Sequence, residues 1–109
     1  MELSQKRCIP CEGGVPKLEG DALARLQAKL PEWRVEDEKL HRRFEFESFR
    51  RAIDFVNEVA ELAEEEGHHP DFAIHYRRVD LILWTHAVSG LTENDFILAA
   101  KIDALHGRD

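Results

Sequence analysis

Long apolar runs are missing from this chain. None approaches the length of a membrane span, and Met1–Pro10 lacks the apolar core of a signal peptide, so the expected setting is the cytoplasm, with no membrane partner. Basic charge is also short. Lys and Arg number 15 against 22 Asp and Glu, and a net charge of −7 leaves no electrostatic grip for a phosphate backbone. Direct nucleic-acid binding is therefore not expected, whereas binding another protein stays open. Cysteine is scarce: Cys8 and Cys11 form one CxxC in the leader KRCIPCEGG. There is no second CxxC to complete a zinc site, and no strand–helix context of the thioredoxin kind. With Gly13, Gly14 and Pro16 alongside, residues 1–18 read as a flexible N-terminal arm carrying reduced thiols. Repeats, linkers and low-complexity tracts are absent.

What remains is the composition of one globular domain over residues 19–109, with 43% hydrophobic and 34% charged residues in the whole chain. A chain of 109 residues buries roughly two-thirds of its unfolded surface on folding. Leu23, Leu26 and Leu30 recur at helical spacing, which predicts a short helix from Asp21 to Leu30, stopped before Pro31. Trp33–Val35 and Leu40–Phe46 read as strands around the polar turn Glu36–Lys39. Arg42 is the exception on a face otherwise made by Leu40, Phe44 and Phe46. Ser48 is a good N-cap for a long helix. Its apolar stripe is Phe49, Ile53, Val56, Ala60 and Ala63, widened by Ala52, Phe55, Val59 and Leu62, and a stripe this wide belongs against a sheet. Phe72–Arg77 and Val79–Thr85 alternate as strands, and Thr92 to about Leu105 forms the last helix. The order α-β-β-α-β-β-α predicts an α+β fold: a four-stranded antiparallel sheet covered on one face by helices.

The long helix ends in EEEGHHP. Gly67 and Pro70 are ordinary helix punctuation, but adjacent His68 and His69 are not required by it. They hold two titratable rings in a short turn. Of the other four histidines, His41 and His106 read as solvated surface, and His75 alternates within a strand without an identifiable partner. His86 stands at a strand end before a loop, where sites are built. Thr92-Glu93-Asn94-Asp95 has the spacing of a capping box, so Asp95 has a structural reading as well as a chemical one. Metal binding by His68, His69, His86 and Asp95 fits poorly, because adjacent residues seldom aim both rings at one ion and HExxH is absent. Metal-free acid–base work suits imidazoles that titrate near neutrality.

The full spacing is more specific than its parts. Glu64 is followed after three residues by His68-His69-Pro70, after five by Tyr76, after nine by His86 and after eight by Asp95. This pattern resembles the pterin-4a-carbinolamine dehydratases, as do LWTHAVSGLTENDFILAAKID, the leader CEGGVPKL and LARLQAKLPEW. Ser89 stands where the family commonly has a second Gly or Ala. The resemblance implies a hydro-lyase acting in tetrahydropterin recycling, which removes water from a 4a-hydroxytetrahydropterin to give the quinonoid dihydropterin. It implies catalytic His68, His69, His86 and Asp95, expected to converge in space, and substrate contacts from Glu64, Pro70, Tyr76 and Thr85. It also implies no metal or organic cofactor, a homodimer or homotetramer, and a functional link to an aromatic amino-acid hydroxylase. Relatives of the fold serve as a dimerisation partner of a homeodomain transcription factor or as an assembly chaperone, so a protein-binding role is the alternative.

Overall fold

The computed structural model describes residues 1–10 and 14–107, so Cys11 of the CxxC lies outside the described residues. After a single 3-10 turn at Leu3–Gln5, the chain forms α1 (Gly20–Ala28), β1 (Arg34–Glu36), β2 (Lys39–Glu45) and α2 (Phe49–Glu66). It continues through β3 (Asp71–His75), β4 (Arg78–Leu83), a second 3-10 turn at His86–Val88 and α3 (Glu93–His106). The four strands pair antiparallel in the order β1-β2-β4-β3, which matches the expected α+β architecture. No described helix is long and apolar enough to cross a membrane.

Local chemistry sets the element ends. The β1–β2 connection places Asp37 and Glu38 at φ 53° and 59°, the left-handed pair that a two-residue hairpin turn requires. Ser48 caps α2 by accepting from the Arg51 amide, and Gly67 closes it at φ 66°. The strand expected over Phe72–Arg77 is shorter. Tyr76 takes φ 56° in the β3–β4 turn and is 69% exposed, so it leaves the row it was expected to share with Phe72 and Ile74.

One face of the sheet contributes Leu40, Phe44, Val79, Leu81 and Leu83 to the core, and the helices supply Phe55, Val59, Phe96, Leu98 and Ile102. The buried line of α2 is Ala52, Phe55, Val59 and Ala63. The sequence stripe is thus rotated: its expected flank is the centre, while Phe49 is 51% exposed and Ala60 is on the surface. The Phe55 ring explains the rotation, because it packs on Phe44 at 4.8 Å and on Phe46 at 5.1 Å between centroids. His106, expected at the solvated surface, closes the same aromatic cluster at 4.9 Å from Phe44 and 5.6 Å from Phe55. Arg42 points its charge toward the helices, where Asp103 of α3 receives it. The same carboxylate accepts from Trp33 Nε1 at 2.8 Å, so one acid ties β2 and the residue just before β1 to α3.

Residues 1–10 and 14–18, expected as a flexible arm, lie packed on the domain. Leu3 and Val15 are buried, the Leu18 amide donates to the Leu91 carbonyl at 2.7 Å, and Lys6 pairs with Glu93. The missing signal was tertiary, since the apolar side chains that anchor the described part of the segment, such as Leu3 and Val15, are scattered without periodicity, and long-range polar bonds supplement them.

Phe55→Ala is expected to cost about 3–5 kcal/mol, the range for a truncated core aromatic. Phe49→Ala should cost about 1 kcal/mol or less, as for a half-exposed site. Denaturant unfolding of the two variants checks the rotation of the stripe, and equal losses would contradict it.

Candidate active site

Asp95 is the centre of the buried polar structure, with no exposed surface. It stands in the first turn of α3, where the helix dipole favours negative charge. Its Oδ2 accepts from the Thr92 amide at 3.0 Å, while Thr92 Oγ1 accepts from the Asn94 amide at 3.2 Å, completing the capping box. The Thr85 hydroxyl also donates to Oδ2, at 2.7 Å, and the Thr92 hydroxyl can then donate to Thr85 Oγ1 at 3.0 Å. Thr85 is held by a bridge to Gly90 that closes the loop after β4. The other oxygen, Oδ1, accepts from His68 Nε2 at 2.6 Å. One oxygen of Asp95 therefore serves the cap while the other holds the His68 ring.

His68 reaches this position because α2 ends as a Schellman motif. With Gly67 left-handed, the His68 amide turns back to the Ala63 carbonyl at 3.2 Å, and the ring is directed toward α3 with 8% exposure. Donation from Nε2 to a carboxylate fixes the tautomer. In that tautomer Nδ1 keeps the lone pair.

The remaining expected residues divide among other partners. His69 is on the outside of the turn and bonds Glu64 at 2.6 Å, with both side chains more than half exposed, so the pair orients rather than stabilises. Pro70 is buried at the start of β3. His86 opens the 3-10 turn and stacks on Trp84 with centroids 3.7 Å apart. Trp84 in turn donates from Nε1 to Asp71 Oδ2 at 3.3 Å and lies under the Lys39 ammonium at 4.7 Å. Asp71 pairs with Ile82, whose parity is opposite to the buried Leu81 and Leu83, so this stack is on the side of the sheet away from the helices. Among the described residues His86 makes no hydrogen bond or ion pair with His68, His69 or Asp95. By their direct contacts these residues fall into three groups: His68–Asp95–Thr85, His69–Glu64 and His86–Trp84.

Tyr76 joins none of these. It stands at the tip of the β3–β4 hairpin and stacks on Phe49, whereas His69 and His86 flank the opposite end. The five-residue β3 separates the two ends by roughly 17 Å. Sequence reasoning also passed over Thr92 as more than a cap, and Trp84 as the platform of His86. The parity of Trp84 and His86 carried the second signal, since alternate residues share a face.

Two titratable groups near the site are perturbed. Burial pushes the Cys8 thiol up to about 12, and the neighbouring Glu66 carboxylate adds to it. Burial would raise Glu66 as well, but donation from the Cys8 amide and the Lys101 ammonium outweighs it and holds this carboxyl below the usual range. A thiol kept protonated in this way is a poor nucleophile.

Known proteins reproduce this architecture. A family profile described as pterin 4 alpha carbinolamine dehydratase matches residues 16–105. A protein of Rubrobacter xylanophilus whose provisional name is pterin-4-alpha-carbinolamine dehydratase is 53% identical over 105 residues, covering 95% of this chain and 98% of that protein. A Rickettsia canadensis protein with the same provisional name is 49% identical, covering 94% and 95%. The crystal structure of a transcriptional coactivator/pterin dehydratase from Brucella melitensis is similar with a TM-score of 0.79 and 34% identity, covering 83% of this chain and 98% of that one. A pterin dehydratase-like protein described as a RuBisCO assembly factor in the alpha-carboxysome is similar at TM-score 0.57 and 32% identity, covering 69% and 87%. With nearly its whole folded length matched, the chain belongs to the pterin 4 alpha carbinolamine dehydratase family.

Proposed function

We propose that this protein removes water from a 4a-hydroxytetrahydropterin by histidine general acid–base catalysis, as a hydro-lyase. The observation that carries the reading is the buried His68–Asp95 pair, whose carboxylate is held by Thr85 and the Thr92 amide. In the reaction the C4a–O bond breaks, the oxygen leaves as water after receiving a proton, and the N5 proton is removed as the C4a–N5 double bond forms. One proton is delivered and one is taken, so the reaction is redox-neutral and the pterin is the substrate; no further cofactor is needed. His68 and His86 are assigned the two transfers. His69, with Glu64, has a binding or supporting role, and Asp95 orients His68. Thr85 contributes through Asp95, and Pro70 shapes the turn beneath the histidines. Because His86 is stacked on Trp84, the reading requires the pterin to bridge His68 and His86 or the His86 ring to leave its stack.

The natural setting of this reaction is the cytoplasm, downstream of a hydroxylase that produces the 4a-hydroxypterin. A homo-oligomer is part of the same proposal. The β3 edge has its backbone unpaired on one side, and Phe72 and Ile74 are 36% and 40% exposed there. These residues also support the second reading, a protein-binding role of the kind named for the RuBisCO assembly factor. The buried His68–Asp95 pair favours the enzyme.

The direct test is absorbance after mixing purified protein with chemically generated 4a-hydroxytetrahydropterin. His68→Ala and His86→Ala should each lower the rate by about 10² or more, the usual contribution of a positioned acid or base. His86→Ala should leave the melting temperature nearly unchanged, because the ring is exposed. Full activity in both variants, or none in the parent, would remove the catalytic reading and put the protein-binding one first.

Asp95→Ala should separate from these by stability. Loss of the cap costs about 1 kcal/mol, and the donors left unpaired on burial add about 1–3 kcal/mol each. Thermal melts of Asp95→Ala and His86→Ala side by side check this. Sedimentation at micromolar protein checks assembly: a dimer or tetramer is expected, and a uniform 12.6 kDa species would contradict it.

A further inference from the structure

The leader segment meets the site at two places that the dehydratase chemistry does not explain. The Cys8 amide donates to Glu66 Oε1 at 2.9 Å, and Glu66 is the last residue of α2, two before His68. The next residue, Ile9, is bound on both backbone groups by one side chain: its amide donates to Asn94 Oδ1 at 3.0 Å, and its carbonyl accepts from Asn94 Nδ2 at 2.6 Å. Asn94 immediately precedes Asp95. Consecutive leader residues therefore grip the end of one helix and the start of the other, each beside one member of the His68–Asp95 pair. Further contacts keep the segment in register. Lys6 bonds Glu93 at 2.8 Å, the Cys8 thiol reaches the Asn94 carbonyl at 3.5 Å, and Glu66 also pairs across to Lys101 of α3 at 3.2 Å.

We propose that residues 6–9 are a positioning strap that sets the separation and alignment of His68 and Asp95. The members of the pair are 27 positions apart in sequence, and the pair depends on how the end of α2 meets the start of α3. A hydrogen bond of 2.6 Å tolerates little displacement, since weakening is steep once distance and angle depart from their optimum. Backbone groups of the strap make the main bonds, so the device does not need particular side chains at position 9, where Ile9 is 58% exposed. Asn94 and Glu66 do need their identities. Asn offers one donor and one acceptor to match an extended backbone residue, and Glu66 receives both the strap and Lys101. Residues 6–9 also lie outside the stretch matched by the family profile.

The proposal rests on the dehydratase reading for its rate readout, and its geometric readout is independent of that reading. Ile9→Pro deletes the amide donated to Asn94 without touching the site, whereas Ile9→Ala keeps both backbone groups and serves as the control. Residue 9 already precedes Pro10, which biases it to extended backbone and makes the proline tolerable locally. Three quantities are read: alkylation of Cys8 resolved by peptide mass spectrometry, the Nε2 proton of His68 by NMR, and the dehydration rate. In the parent and in Ile9→Ala, Cys8 should be protected and the His68 proton strongly deshielded and slow to exchange. In Ile9→Pro, Cys8 should alkylate faster, the His68 signal should move or broaden, and the rate should fall by about 10- to 100-fold, the scale for misplacement by a distant change. If Ile9→Pro does not fold, Asn94→Ala removes both bonds to Ile9 without forbidding any backbone conformation, and the same quantities are read. An unchanged His68 signal with Cys8 exposed overturns the strap, as does Cys8 remaining protected once the bonds are gone. A parent protein without activity sinks the dehydratase reading, and the His68 signal then decides the strap alone.

Discussion

A carboxylate with no exposed surface must be paid for by its neighbours, and Asp95 arranges the molecule around that requirement. Left unpaired, a buried charge would cost far more than the domain's net stability can bear. Its oxygens receive the Thr92 amide, the Thr85 hydroxyl and the His68 ring. Each donor comes from a different part of the chain: the start of α3, the end of β4 and the end of α2. Satisfying one acid therefore brings three element ends to one point. The same satisfaction gives His68 a defined tautomer.

The surroundings of α3 follow from this placement. Eight of its residues, from Asn94 to Ile102, are buried, and they do not form a single stripe. A helix buried on several sides needs cover on several sides. The sheet and α2 provide part of it, and the leader with Leu3 provides another part. Asp103, near the far end of the helix, takes charge from Arg42 and a hydrogen bond from Trp33. Acids at both ends thus fix α3 axially, Asp95 to the site and Asp103 to the first hairpin. The Arg42 guanidinium also lies over the Phe44 ring at 4.3 Å, so its burial is met by a carboxylate and by an aromatic face.

The histidines illustrate three environments for one side chain. His68 is buried against an acid, His69 is exposed beside one, and His86 is laid on an indole. A group meant to exchange protons with a ligand needs an accessible face, and a group meant to hold its orientation needs a fixed partner. Burial with Asp95 gives His68 a fixed partner, whereas His69 and His86 keep exposed faces. His106, with Nδ1 enclosed among Phe44, Phe46 and Phe55, belongs to the core rather than to any of these.

Local grammar in the sequence was enough for the elements themselves. Alternation specified the strands, Ser48 and Thr92 marked two helix starts, and Gly67 marked a helix end, because caps and periodicity depend on neighbours within a few residues. The spacing from Glu64 to Asp95 was legible as a family resemblance, and the family match over residues 16–105 agrees with it. What lay beyond the sequence was set by packing. The rotation of α2 follows from the volume of Phe55 against Phe44 and Phe46, and no periodicity distinguishes a stripe's centre from its edge. Tyr76 was read from alternation as a strand residue, but it takes a left-handed conformation at the hairpin tip. His86 met Trp84 across a face, and the leader docked through backbone bonds to Glu66 and Asn94. Hydrogen bonds between residues 58 to 85 positions apart leave no periodic trace, so only the folded chain determines them.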